Sequence, residues 1–190
     1  MPAPAKSISI GSLIGSFFGT FWLLWGVSFL GGGAWVLVAA VAILSCTALA
    51  WCIACFRFIR RRLPPSTDAN QPSPFGWAYR IVVMLEGLFI GAGNWFVSAH
   101  HRADLLPVVT AIVVGLHFFP LARILKATNL YVIAIVVTVI PLVSLAIRNH
   151  AIRDFASCSA IGVFMLAGSA SALQRLAKKV VEPEQASVHL

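Results

Sequence analysis

Six apolar runs, each long enough for a membrane-crossing helix, occupy most of this 190-residue chain and constrain its fold more than any motif. They fall at 8–30, 34–56, 75–97, 105–124, 130–147 and 155–173. At about 1.5 Å per residue these runs of 18 to 23 residues reach roughly 27 to 35 Å, matching a hydrocarbon layer of about 30 Å. In lipid each backbone amide must find its partner within its own segment, so the runs predict α-helices. Composition agrees, since 59% of residues are apolar and 11% charged, against roughly half and a quarter in soluble domains. A soluble globular fold is therefore excluded. The expected fold class is all-α, one integral membrane bundle of six transmembrane helices, with residues 1–190 forming a single membrane domain. The first run is too long for a signal-peptide core, and no A-x-A-like site follows Leu30, so it is read as a span.

The connection at 57–74 holds Arg60, Arg61, Arg62, Pro64, Pro65, Pro72 and Pro74, the composition of a flexible basic linker. Alternating the sides of successive spans puts Lys6, Arg57, Arg60, Arg61, Arg62, Arg80, Arg123, Lys126, Arg175, Lys178 and Lys179 on one face. Only Arg102, Arg148 and Arg153 fall on the other. The positive-inside rule then predicts cytoplasmic termini and linker, with the segments 31–33, 100–104 and 148–154 outside. The formal charge of +8 thus belongs to short stretches between spans, where it suits orientation and anionic headgroups. The expected partners are the lipid bilayer and anionic lipids at the cytoplasmic face, with no nucleic acid.

Glu86 is the most informative single residue, because a carboxylate within a span costs at least about 2.5 to 3.5 kcal/mol and needs a partner or a proton. It lies about 16 Å from the cytoplasmic boundary of its run, and His117 about 10 Å from the same boundary on the next, antiparallel run. One turn separates those depths, so a Glu86–His117 contact across the hairpin is predicted. The pair can serve as a ligand or proton site near neutral pH, or as a polar clamp worth about 0.6 kcal/mol. Pro120, one turn beyond His117, removes a donor from the carbonyl of Leu116 and is predicted to kink the helix and shape a cavity. Pro141, beside Thr138, does the same in the fifth run. Asn94, in Gly91-Ala92-Gly93-Asn94-Trp95, is expected to hydrogen-bond across a close helix contact. Gly11, Gly15 and Gly19 in the first run, and Gly87 and Gly91 in the third, form small faces for helix packing, either within one chain or between copies in a homo-oligomer.

Other residues offer weaker chemistry. Cys52 and Cys55 have the C-x-x-C spacing of thiol oxidoreductases, yet sit at the cytoplasmic end of an apolar run, where a core role is expected. His100, His101 and Asp104 in one outward segment and His150 and Asp154 in another would suit a metal only if the two segments meet. No cofactor is indicated. H-E-x-x-H, G-x-S-x-G, G-x-x-x-x-G-K-[ST] and G-x-G-x-x-G are all absent, so metalloprotease, hydrolase and nucleotide-dependent enzymes lack their minimal residues.

The stretch Val114-Gly115-Leu116-His117-Phe118-Phe119-Pro120-Leu121-Ala122, with Glu86 and Asn94 upstream, resembles uncharacterised small bacterial multi-pass membrane proteins carrying a G-L-H-F-F-P-L-A motif and no known activity. The resemblance implies a bacterial inner (cytoplasmic) membrane protein. The leading expectation is a small polytopic protein that transports or conducts a small solute or ion near Glu86 and His117. The alternatives are a non-catalytic scaffold or accessory subunit, and a membrane enzyme using thiols or a metal.

Overall fold

The computed structural model describes residues 5–31, 35–62, 76–125 and 128–188. They form six helices: α1 (Ala5–Ser28), α2 (Trp35–Arg62), α3 (Trp77–Ala99), α4 (Leu106–Leu125), α5 (Asn129–Ser144) and α6 (His150–Val188). A single 3-10 turn at Ala103–Leu105 leads into α4. Five helices are long and apolar enough to cross a bilayer. The chain is a polytopic, all-α membrane protein. The remaining helix, α5, has 16 residues and reaches about 24 Å.

Helix ends depart from expectation where local hydrogen bonds override hydropathy. α2 continues through Arg62, so the first six residues of the expected linker are helical. The remainder of that linker, 63–74, lies outside the described residues, as do Gly32, Gly33 and Lys126. α6 starts at His150 rather than Phe155, and the expected 148–154 loop is largely its first turn. There the Asn149 side chain accepts the amide of Ile152 at 3.1 Å, a capping bond that starts the helix ahead of its apolar stretch. α5 ends at Ser144 rather than Ile147. The amides of Leu145, Ala146 and Ile147 reach back three residues to Leu142, Val143 and Ser144 at 3.3, 3.1 and 2.9 Å, tightening the chain out of the helix.

The centre of the bundle is α1 packed antiparallel against α6. A Cβ added at Gly19 would lie 2.9 Å from the backbone nitrogen of Leu166, and one at Gly162 would lie 2.7 Å from the carbonyl of Gly19. Backbone meets backbone there, which only glycine permits. Gly15 meets Ser169 and Gly26 meets Ser159 along the same seam. Two buried hydroxyls of α1 bond within their own helix: Ser16 donates to the carbonyl of Ser12 and Thr20 to that of Ser16, both at 2.9 Å. α2 flanks this pair, α4 and α5 pack together on the other side, and α3 docks on α4. Trp22, Ala111, Val114, Val137, Cys158, Ile161 and Met165 form the shared core.

Gly11, Gly87 and Gly91 do not join that packing. A Cβ at any of them would meet nothing within 4 Å. On α3 the face against α4 runs through Glu86, Gly93, Asn94 and Val97, and the Gly87–Gly91 stripe is rotated off it.

Candidate functional site

α3 and α4 meet along a seam with one antiparallel register. At one level a Cβ at Gly93 would lie 2.8 Å from Val109 Cγ1, so the helices are close. Beside it Thr110 Oγ1 donates to Asn94 Oδ1 at 3.2 Å, the cross-helix bond expected of Asn94. About two turns along, His117 Nδ1 lies 3.1 Å from Glu86 Oε1. The side chains of His117 and Glu86 are only 12% and 13% exposed. The sequence-derived depths therefore place the two groups correctly, and the hairpin brings them into contact.

The two groups touch without an aligned hydrogen bond between Nδ1 and Oε1. The imidazole stacks on Phe118, ring centroids 4.3 Å apart, which limits its orientation. Two further polar atoms near the same stretch of α4 are buried and unpartnered. Thr138 Oγ1 of α5 lies where α5 crosses Gly115, and a Cβ at Gly115 would be 2.8 Å from the Thr138 backbone nitrogen. Trp22 Nε1 sits in the core beside Ala111 and Val114. Neither had a signal in the sequence, because each depends on which helix faces α4.

Pro120 lies one turn beyond His117 on α4. α4 runs unbroken through it, and Pro120 itself is exposed. α5 likewise continues through Pro141. Membrane helices tolerate proline within a run; Ser144 Oγ donates at 2.7 Å to the carbonyl of Pro141 itself, at the end of α5, and not to the Val137 carbonyl that the missing Pro141 amide leaves free.

The outward histidines and carboxylates do come together in part, but around an arginine. Arg153 is buried and donates to Asp154 Oδ1 at 2.8 Å and to the backbone carbonyl of Asp104. Asp104 also lies 3.2 Å from Arg102 Nε and 3.6 Å from His150 Nδ1. His100 Nδ1 is 2.8 Å from the carbonyl of Phe96, and exposed His101 occupies the left-handed region at φ 57°. Among the described residues no three His, Cys, Asp or Glu side chains are grouped to hold a metal. This cluster ties the α3–α4 turn to the start of α6. Sequence reasoning missed Arg153 because it placed that residue in a loop. Cys52 is a free, fully buried thiol packed with Ile59, Leu173 and Leu176, and Cys55 is partly buried beside it.

Comparison of the chain with protein-family models, curated proteins and solved structures finds no match. The likeness carried by the motif around His117 accordingly rests on that motif alone.

Proposed function

We propose that this polytopic protein moves a small solute or ion across the bacterial inner membrane, with the Glu86–His117 pair as the group that takes up and releases a proton. The contact that carries this reading is the 3.1 Å approach of carboxylate and imidazole inside a membrane span. Ionisable groups at such depth are costly and are retained chiefly along ion and proton paths. A carboxylate and an imidazole in contact can hold one proton between them. Buried polar atoms without partners in native proteins call for a water, an ion or a ligand. Thr138 Oγ1, where α5 crosses Gly115, and Trp22 Nε1, in the core with Ala111 and Val114, are two such atoms packed against α4. The positive-inside rule assigns the end bearing Arg57, Arg80, Arg123 and Arg175 to the cytoplasm, together with both termini.

The test is solute and proton flux in proteoliposomes under an imposed pH gradient. Glu86→Gln should abolish pH-dependent flux while leaving the elution profile and tryptophan emission of the purified protein unchanged. Wild-type flux in both Glu86→Gln and His117→Ala would refute the proposal. A second reading follows from the seam itself, since Glu86–His117 and Asn94–Thr110 share one register and together fasten α3 to α4. In that case the protein is a membrane scaffold, Glu86→Gln loosens α3, and no solute moves in either form.

A further inference from the structure

The two most basic stretches of the chain are far apart in sequence and side by side in space. Cys52 and Ile59 of α2 share a buried cluster with Leu173 and Leu176 of α6. The last turns of α2 thus run alongside residues 173–178 of α6. Ile59 and Leu173 are each 0% exposed, so these turns are packed against each other. Beside that contact Arg60 of α2 and Arg175 of α6 are exposed, each roughly 100 to 130° around its helix from the buried residues, whereas exposed Arg57, Arg61 and Lys178 lie on the far sides of their helices. We infer that Arg60 and Arg175 together form one binding surface for the phosphate of an anionic lipid headgroup.

Position and chemistry both favour lipid as the occupant. The spans Trp35–Arg61 and His150–Lys178 contain 27 and 29 residues, or about 40 and 43 Å of helix, roughly 10 Å more than the hydrocarbon layer. α2 carries no charge before Arg57, so its excess length falls at the basic end, at headgroup depth. Trp51 and Phe58 are exposed there, as side chains at a membrane interface commonly are. α2 has no acidic residue, and α6 has none between Asp154 and Glu182. The Arg60 guanidinium lies 5.8 Å over the Phe56 ring, which holds its planar fork in place. That fork matches phosphate oxygens two at a time. Orientation by positive charge alone requires only a count of cations on one side. A surface assembled from two packed helices predicts saturable binding at a defined place.

The experiment uses the full-length protein in neutral detergent, stripped of lipid and titrated with phosphatidylglycerol or phosphatidylcholine. Binding is read by the thermal midpoint and by native mass spectrometry. Phosphatidylglycerol should bind saturably and about tenfold or more tighter than phosphatidylcholine. Arg60→Gln with Arg175→Gln should remove that preference, whereas Arg80→Gln with Arg123→Gln, an equal loss of charge at the same end, should leave it within about twofold. Equal binding of the two lipids, or equal loss in the two double variants, overturns the inference. Displacement by equimolar inorganic phosphate overturns the lipid assignment in favour of a soluble anion, and displacement by a polyglutamate peptide does so in favour of an acidic protein. If the α2–α6 variant fails to fold, the wild-type protein still decides, because salt at about 300 mM should weaken a headgroup ion pair several-fold and an unchanged affinity refutes it.

Discussion

Replacing Gly19 by Ala tests the helix seam on which the bundle depends. The added methyl would stand 2.9 Å from the Leu166 nitrogen and 3.0 Å from the Gly162 carbonyl oxygen. Neither atom can swing aside, because both are backbone. Carbon contacts settle near about 3.5 Å, so α1 and α6 must part by roughly 0.6 Å locally, enough to forfeit about a quarter to a half of each neighbouring dispersion contact. Leu166 and Ile161, at 9% and 0% exposure, lie in this region and feel the gap. The expected cost is ~1–3 kcal/mol, the usual range for overpacking. Gly162→Ala presses on the same place from α6, at 2.7 Å from the Gly19 carbonyl, so the double variant should cost less than the sum of the singles. Gly11→Ala, which meets nothing within 4 Å, is the control. Equilibrium unfolding in mixed micelles, followed through tryptophan emission with Trp22 in the core, reads the difference. A Gly19→Ala midpoint indistinguishable from that of Gly11→Ala would show that the seam is not as close as described.

Removing one member of the buried Arg153–Asp154 pair should be more damaging than most surface changes. Asp154→Asn leaves Arg153, 5% exposed, with the Asp104 carboxylate at 3.7 Å as its remaining counter-charge and should cost about 1–3 kcal/mol, seen as a lower thermal midpoint in detergent; an unchanged midpoint counts against burial of the pair. Thr110→Val deletes the bond to Asn94 and should cost about 0.6 kcal/mol, and never as much as 3, in the same unfolding assay. Cys52 should resist a small maleimide until the protein is unfolded, because it is fully buried between α2 and α6; rapid labelling of the folded form would contradict that packing and revive a thiol chemistry.

Hydropathy made the helical class and the six segments legible in the sequence, because lipid leaves a backbone no other way to satisfy its hydrogen bonds. The Glu86–His117 contact was legible too, since a short turn makes α3 and α4 neighbours and rise per residue gives each side chain a depth. Helix ends were less so: Asn149 starts α6 ahead of its apolar stretch, and α2 keeps helical bonding through Arg62 although hydropathy falls at Arg57. Pairings between distant segments were not legible at all. Gly15 and Gly19 look no different in the sequence from Gly11, Gly87 and Gly91, and only the rotation of each helix about its axis decides which of them touches a neighbour. The same rotation buries Arg153, leaves Thr138 Oγ1 and Trp22 Nε1 without partners, and packs Ile59 of α2 against Leu173 of α6. Transfer into lipid is a property of a segment and can be read locally, whereas the choice of facing surfaces follows from packing of all six helices at once.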